Sequence, residues 1–401
     1  MIRKEVLEEV IKNQRKRIMN LDKGIPREIL PKIKPNKEIA LVITGIRRCG
    51  KSTLLRQILS QEKEFYFLNL EDPRLENFEL KDFHKVEDIF KKYSKNGTYF
   101  FDEIQNVDKW EKYIRLLVDK KKKVVITGSN ASLLSKELGS RLTGRHKQIE
   151  LTPFSYSEYL KFTQKKKSVQ SSSEFLFDGG FPIYLKLKDT EILNELLKDV
   201  LMRDIAIRYN IRNTKLLQRL AIFLLNHVGN EFSYNSIKKM LNVKSTQTVI
   251  DYFSFFEDAY LIFTLPKFDY SYKKQQINPK KIYTIDTGIA NANTIRFSER
   301  KGEILENAVF LSLKRKYKEL FYFQDEESEC DFLVKEKDKI TRAIQVTYKL
   351  EEHNELRELK GLMNALIKFN LKEGIIITQN QEDIIEKENK KIKVIPAKKF
   401  L

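Results

Sequence analysis

A glycine-bracketed segment near the amino end of the chain has the residue types and spacing of a phosphate-binding loop. Residues 45–52, hereafter the phosphate loop, fit the pattern G-x-x-x-x-G-K-[ST] between an apolar run and a helical pattern. The glycines let backbone N–H groups curl around a β-phosphate, the lysine neutralises phosphate oxygens, and the serine hydroxyl ligates Mg²⁺. We therefore expect ATP and Mg²⁺ as cofactors. The nucleotide-binding residues would be Gly45, Ile46, Arg47, Arg48, Cys49, Gly50, Lys51, Ser52 and Thr53.

An acidic pair, Asp102 and Glu103, follows a later apolar run at residues 98–101. Phosphoryl transfer needs a carboxylate for the metal shell and a base for the attacking water, both near the phosphate loop. We expect Asp102 to join Ser52 in binding Mg²⁺. Glu103 is expected to orient and deprotonate the water, with Lys51 as a second catalytic residue.

Polar residues after the apolar run 123–129 are weaker catalytic candidates. Asn130 could hydrogen-bond the γ-phosphate or the attacking water, or it could equally cap the helix that follows. Arg141 and Arg145 lie in a glycine-broken segment and could be surface charges. An arginine supplied to a neighbouring subunit would, however, stabilise charge on the γ-phosphate. Arg145 is the favoured residue for this role, which predicts a homo-oligomer.

A parallel sheet would bring these groups together. Short apolar runs alternate with helical patterns, which indicates a doubly wound α/β P-loop NTPase domain over residues 37–165. A helix and a proline-punctuated linker, residues 1–36, precede it. Residues 165–175 are serine-rich without periodicity and are predicted to be a linker or mobile loop. The strand candidates are 40–44, 64–70, 98–103 and 123–129.

Residues 166–299 are predicted to form a helical region with a winged helix. Two helical patterns, 234–241 and 246–257, flank a short turn, and 260–274 is typical of a two-stranded wing. The second helix is acidic and aromatic, so a structural or protein-contact role is favoured over base-specific reading. Three wing lysines could contact phosphates without reading sequence: Lys267, Lys273 and Lys274.

The segment 300–401 mixes helices and strands and is predicted to be a third, nuclease-like α/β domain. Glu306, Asp331 and Gln345 have the order of the metal ligands in restriction-type nucleases. The lysine of that pattern is missing, because Thr347 occupies its position. Lys349 shares the strand face but would have to reach the site from about 7 Å further along. Cleavage is therefore disfavoured, and a fold retained for packing or partner contact is the alternative.

The amino-acid composition excludes several classes of protein. The 401 residues are 41% hydrophobic and 33% charged, which predicts several cores and excludes a largely disordered chain. Two cysteines and four histidines supply neither a disulfide framework nor a zinc cluster, and indicate a reducing compartment. No uncharged apolar run reaches the length of a membrane span, so we expect a cytoplasmic protein without a membrane partner.

The formal net charge of +19 favours a polyanionic partner, such as nucleic acid bound without sequence preference. Lysine-rich composition also arises from other causes, so the charge alone leaves the two explanations balanced. Residues 1–299 carry +17 of this charge.

Taken together, several segments resemble the AAA-type P-loop ATPases of archaea and bacteria that carry a winged-helix middle region and a restriction-endonuclease-like C-terminal domain. The resemblance implies ATP binding and hydrolysis, a winged helix and often an oligomer. The resemblance implies no agreed substrate, and two functions stay open. One is an oligomeric Mg²⁺-dependent ATPase for which DNA is a possible substrate. The alternative is a nucleotide-regulated switch or scaffold directed at an unknown protein partner, with little hydrolysis and an inactive nuclease-like domain. The matching segments are GIRRCGKSTLL (45–55), NLEDPRL (69–75), FFDEIQNVDKWE (100–111), TGSNASLLSKEL (127–138), LTGR (142–145), LTPFSYSEYL (151–160) and GGFPIYL (179–185).

Overall fold

The computed structural model describes residues 1–129, 144–294, 300–326 and 328–401 of the chain. The chain divides into two compact units, Met1–Thr152 and Pro153–Leu401. The four domains predicted from the sequence stay a prediction. Asn130 and Arg141 lie outside the described residues. None of the helices in the described ranges is both long and apolar enough to cross a membrane.

A five-stranded parallel sheet forms the centre of the first unit. Its strands are β1 (Ala40–Thr44), β2 (Phe65–Asn69), β3 (Thr98–Asp102), β4 (Val124–Gly128) and β5 (His146–Glu150). Their order across the sheet is β2-β3-β4-β1-β5. Because all five strands are parallel, their carboxyl ends meet at one edge, where β1 runs into the phosphate loop and β3 ends at Asp102. This arrangement fits a P-loop NTPase fold.

Four α-helices of the described residues accompany this sheet. They are α1 (Lys4–Asn20), α2 (Lys51–Leu59), α3 (Asp82–Lys91) and α4 (Trp110–Asp119). The amphipathic α1 buries Leu7 and Val10 in the same core as the strand residues. In that core the rings of Phe83 and Tyr113 stack with centroids 4.1 Å apart. The N-terminal helix is therefore part of the core of the first unit.

The second unit begins with a series of helices. They are α5 (Tyr156–Thr163), α6 (Val169–Asp178), α7 (Pro182–Leu187), α8 (Glu191–Asp199) and α9 (Thr214–Asn226), with a π-helical stretch, Val200–Ile207, after α8. The prediction of a linker at 165–175 is wrong, because α6 covers most of it. A capping box between Ser168 and Ser171 starts the helix, and Phe175 is buried. Capping and packing outweigh the modest helix propensity of serine.

A small antiparallel sheet follows, and four helices of the described residues accompany it. The elements are β6 (Glu231–Phe232), α10 (Tyr234–Met240), α11 (Thr246–Asp258), β7 (Ile262–Pro266), α12 (Tyr272–Ile277), β8 (Lys280–Thr284) and α13 (Thr287–Ala292). The strand order is β6-β8-β7. Both predicted helices are present, but the second wing strand does not lie within 260–274. Ser271 caps α12 there, so the strand that pairs with β7 is β8.

The C-terminal part contains a six-stranded mixed sheet. Its elements are α14 (Lys301–Lys316), β9 (Glu319–Gln324), β10 (Glu329–Glu336), β11 (Lys339–Val346), α15 (Glu352–Lys368), β12 (Glu373–Thr378), β13 (Asp383–Lys387), β14 (Lys390–Pro396) and α16 (Ala397–Phe400). The strand order is β13-β14-β12-β11-β10-β9. Gly361 of α15 approaches β10 closely, since a Cβ there would lie 1.9 Å from the carbonyl oxygen of Glu329.

Candidate functional site

The phosphate loop has a backbone that only glycine tolerates at its first position. Gly45 has a φ of +147°, and a Cβ there would lie 2.0 Å from the carbonyl oxygen of Leu151. Gly50, at φ +106°, immediately precedes α2. The loop therefore leads from β1 into the amino end of a nine-residue helix, the geometry that directs backbone N–H groups at an anion.

The side chain of Lys51 folds back over this loop. It is 4% exposed, and its Nζ donates to the carbonyl oxygen of Ile46 at 3.2 Å. The same ammonium lies 3.7 Å from Oε1 of Glu103. The predicted phosphate-binding lysine and the predicted base are thus neighbours.

Asp102 is buried at the carboxyl end of β3. Its Oδ1 accepts a hydrogen bond of 2.5 Å from the Thr127 hydroxyl, and the Ser52 side chain also hydrogen-bonds its carboxylate. Burial, and secondly the charge of Glu103, raise the pKa of Asp102 to about 6. The serine hydroxyl and carboxylate are hard oxygen ligands, so this pair fits Mg²⁺.

Glu103 has a strained backbone for a residue that is not glycine, with a φ of +53°. Its N–H donates to the Thr127 hydroxyl at 2.9 Å. Its side chain accepts from Nε2 of Gln105, which is also 3.5 Å from the hydroxyl of Ser129. Gln105, in the turn after β3, therefore holds the carboxylate of Glu103, and Thr127 of β4 holds its backbone.

Arg145 lies at the end of the sheet where the strands begin, whereas the phosphate loop follows the carboxyl end of β1. Arg145 immediately precedes β5, whose first residue, His146, pairs with Ala40 at the amino end of β1. Its guanidinium forms an ion pair with Asp119 at the end of α4. The side chain is therefore not beside the phosphate loop of its own chain, and its role in a neighbouring subunit stays a prediction.

The remaining residues of the loop have different surroundings. Arg47 lies 3.5 Å from a carboxylate oxygen of Glu71. Arg48 adopts a φ of +63°, and Thr53 is half-buried in the first turn of α2. Cys49 is buried and its thiol donates to the carbonyl oxygen of Leu151 at 3.3 Å. Burial raises the pKa of this thiol, which keeps it neutral.

A second candidate site brings together three of the four predicted nuclease-like residues. The N–H of Asp331 donates to Oε1 of Gln345 at 3.2 Å, and Glu306 lines the same cleft of about 500 Å³. Lys349 is placed differently: its side chain is 62% exposed and pairs with Glu351. We call this space the acidic cleft. Its other acidic lining residues are Asp325, Glu326, Glu329 and Glu358.

The ammonium in the acidic cleft comes from Lys281 on β8. Its Nζ lies 2.9 Å from Oδ1 of Asp331 and 3.2 Å from Oε1 of Glu306, and it also pairs with Glu329. Burial alone would lower the pKa of Lys281, but the neighbouring carboxylates outweigh burial and raise it well above its ordinary value. Lys281 therefore carries its charge in the cleft.

Known proteins resemble this chain over nearly its whole length. It is 38% identical over 412 aligned residues to uncharacterized protein MJ1544 of Methanocaldococcus jannaschii, covering 95% of this chain and 91% of that protein. The chain belongs to the MJ1544 family. A second relative, an uncharacterized protein of Haemophilus influenzae, is 30% identical over 84% of this chain and 88% of its own length.

Family models also match parts of this member of the MJ1544 family. A model described as an AAA domain matches residues 37–160. Models described as domains of unknown function, DUF8612 and DUF4143, match residues 169–300 and 301–400. The AAA match confirms the general prediction of a P-loop ATPase domain. The winged-helix and nuclease-like parts of the resemblance stay predictions.

Two solved structures give weaker likenesses. AMPPCP-bound DnaA from Aquifex aeolicus is 14% identical with a TM-score of 0.30, covering 62% of this chain and 88% of that chain. Cdc6p from Pyrobaculum aerophilum is 11% identical with a TM-score of 0.27, covering 77% and 98%. At these scores the likenesses carry no argument about this chain.

Three residues important for these sites were missed from the sequence. Thr127 lies within the apolar run 123–129, and its place beside Asp102 on a neighbouring strand could have indicated it. Arg27 lies in the proline-punctuated segment before β1, where no pattern marks it. It is buried, and it donates to the carbonyl oxygens of Cys49 at 3.0 Å and Thr152 at 2.8 Å. No sequence pattern marks Lys281 either.

Proposed function

We propose that this protein is a Mg²⁺-dependent ATPase whose catalytic centre is the phosphate loop and the carboxyl end of β3. The observation that carries the proposal is the convergence of Lys51, Ser52, Asp102 and Glu103 at one edge of a parallel sheet. The match of residues 37–160 to an AAA domain supports it independently.

Each of these residues has a distinct task in the proposed reaction. The loop N–H groups and the Lys51 ammonium bind the β- and γ-phosphates. Ser52 and Asp102 would hold Mg²⁺, which when bound offsets negative charge on the phosphates. Glu103 orients the attacking water and takes its proton, while Gln105 and Thr127 hold the Glu103 side chain and backbone in place.

Steady-state phosphate release tests this proposal. Lys51→Ala and Ser52→Ala should each lower Mg²⁺-dependent turnover by about 10²-fold or more, because the first removes a positive charge from the phosphates and the second removes a proposed Mg²⁺ ligand. Lys63→Ala, an exposed lysine before β2, is the matched control and should not change turnover. Wild-type turnover far slower than nucleotide exchange would instead support the nucleotide-regulated switch. If neither Lys51→Ala nor Ser52→Ala lowers turnover, the phosphate loop takes no part in the reaction.

We further propose that residues 214–284 form a winged helix that contacts DNA without reading its sequence. The order of α9, β6, α10, α11, β7 and β8, with β8 between β6 and β7, supports the winged helix. The segment between β7 and β8 exposes Tyr270 and Tyr272 beside Lys273 and Lys274. Such aromatic and basic side chains suit base stacking and phosphate contacts.

The geometry of α11 argues against base-specific reading by that helix. Nε2 of Gln247 donates to Oδ1 of Asp251 at 2.7 Å, so the amide is engaged within the helix. Tyr252, Phe253 and Phe256 are buried in the core. We therefore propose that the segment between β7 and β8 makes the DNA contact.

An oligomer is also part of the proposal. Arg145 lies at the sheet edge opposite its own phosphate loop, so it could reach a γ-phosphate only in another subunit. In that arrangement its pair with Asp119 would open when the subunits meet. The guanidinium would then stabilise charge on the γ-phosphate held by the neighbouring chain.

A further inference from the structure

The pattern of Glu306, Asp331 and Gln345 implies a divalent cation in the acidic cleft, but the surroundings of these residues do not fit one. We infer that the Lys281 ammonium occupies the place of that cation, so the cleft is a metal-free ionic junction between β8 and the C-terminal sheet. This inference is independent of the ATPase proposal, because it concerns the second unit alone.

Three of the four carboxylate oxygens of Glu306 and Asp331 already accept hydrogen bonds from protein donors. Oε1 of Glu306 accepts from Nζ of Lys281 at 3.2 Å and from the Tyr283 hydroxyl at 2.6 Å. In Asp331, Oδ1 accepts from Lys281 at 2.9 Å and Oδ2 accepts from the N–H of Val346 at 2.9 Å. The two donors on Oε1 of Glu306 use the lone pairs that a metal ion would need there.

Gln345 is also unavailable as a ligand. Its Oε1 accepts from the N–H of Asp331 at 3.2 Å, and its Nε2 donates to Oε2 of Glu358 at 2.7 Å. The other oxygen of Glu358 pairs with Arg357 at 2.5 Å. Both ends of the Gln345 amide are therefore fixed by protein partners.

Lys281 cannot leave the acidic cleft easily. Its side chain is 3% exposed, and β8 pairs on both sides, with Glu231 of β6 and Leu265 of β7 opposite Lys281. A divalent ion bound to the same carboxylates would lie within a few ångströms of the ammonium and be repelled by it. Among the residues that the structure describes, no three His, Cys, Asp or Glu side chains are arranged to hold a metal.

The charge of the acidic cleft also disfavours a nucleic-acid substrate. Among the described residues, six acidic side chains and one basic side chain, that of Arg357, line it. The Lys281 ammonium pairs with the carboxylates from β8. Phosphate groups approaching Asp325 and Glu326 at the mouth would be repelled. With no metal to offset this repulsion, the cleft lacks the means to hold and cleave a phosphodiester.

Mn²⁺ binding by the full chain without nucleotide tests the inference, with free Mn²⁺ measured by electron paramagnetic resonance. Lys281→Met should bind one more Mn²⁺ per chain than wild type, because it leaves the carboxylates without a cation. Adding Asp331→Asn to that variant should remove the extra ion. Lys280→Met, at the preceding position of β8, is the matched control and should behave like wild type. Folded Lys281→Met that binds no extra Mn²⁺ would overturn the inference.

A second arm does not depend on the folding of Lys281→Met, whose uncompensated buried carboxylates destabilise it. The single variant Asp331→Asn should bind the same number of Mn²⁺ ions as wild type, because wild type holds none in the acidic cleft. A wild-type Mn²⁺ site that disappears in Asp331→Asn would contradict the inference directly. Comparing Asp331→Asn with wild type cancels any Mn²⁺ bound at Ser52 and Asp102, which both proteins share.

Discussion

The ammonium of Lys51 lies 3.7 Å from a carboxylate oxygen of Glu103. The lysine assigned to the phosphates and the base assigned to water are thus paired across the catalytic centre. ATP phosphates would compete with Glu103 for the lysine, which releases the carboxylate toward the attacking water. Under the ATPase proposal, this pair would couple nucleotide binding to release of the Glu103 carboxylate.

Thr127 connects the proposed metal ligand to the proposed base. Its hydroxyl donates to Asp102 and accepts from the N–H of Glu103. Thr127→Val keeps the shape but leaves both groups without this partner, and should slow ATP turnover about 10²-fold through misplacement of the catalytic groups. Thr98→Val is the control, since that hydroxyl bonds Glu62 at the amino end of the same β3. Equal turnover in the two variants would exclude this role for Thr127.

The Arg27 side chain supports the backbone of the phosphate loop. Its guanidinium donates to the carbonyl oxygens of Cys49 and Thr152. Arg27→Met should weaken ATP binding about 10-fold, because a charge-assisted hydrogen bond contributes roughly 1.5–3 kcal/mol. Arg15→Met is the control, since Arg15 donates to the carbonyl oxygen of Phe65 at the amino end of β2. Titration with a fluorescent ATP analogue distinguishes them, and unchanged affinity in Arg27→Met would refute the bracing role.

Sequence-independent DNA binding should depend on the segment between β7 and β8. We expect wild-type affinity for a random duplex to fall steeply as salt rises, because bound lysines release counterions. Lys273→Ala with Lys274→Ala should reduce the slope of log affinity against log salt by about two, one per lost phosphate contact. Lys337→Ala with Lys387→Ala, both exposed lysines, should leave the slope unchanged. If Lys273→Ala with Lys274→Ala leaves the slope unchanged, any DNA contact lies elsewhere.

A shared catalytic centre predicts complementation between inactive subunits. Arg145→Ala should lower turnover by about 10³-fold if it stabilises the γ-phosphate of a neighbour. Mixing it with Lys51→Ala subunits should restore part of the activity, because some interfaces then pair an intact loop with an intact arginine. Arg115→Ala removes another partner of Asp119 and should remain active. Full activity of Arg145→Ala at all protein concentrations would show that each chain works alone.

The parts of the fold and site that the sequence predicted are those encoded by neighbouring residues. The apolar runs of β1 and β3, and the spacing from Gly45 to Ser52, are local patterns, and parallel strand order then brings Asp102 to the same edge. The serine-rich start of α6 was missed because tertiary packing outweighs its weak propensity.

Long-range contacts could not be predicted in the same way. Lys281 meets Glu306 and Asp331 across 25 and 50 residues of chain, and nothing in the surrounding sequence marks it as their counter-ion. The sequence shows that the lysine expected after Gln345 is missing. It does not show that the ammonium of Lys281 pairs with the carboxylates of the acidic cleft. Arg27 shows the same limit, since only the folded chain brings it behind Cys49.

The most direct test of the central claim is a paired measurement on Glu103→Gln. ATP affinity and the rate of phosphate release are determined for wild type and variant in the presence of Mg²⁺. The ATPase proposal predicts affinity equal to or tighter than wild type, because Lys51 loses its competing carboxylate, while turnover falls at least ~10²-fold. Unaltered turnover in Glu103→Gln would contradict the assignment of Glu103 as the base and, with it, the proposed catalytic centre.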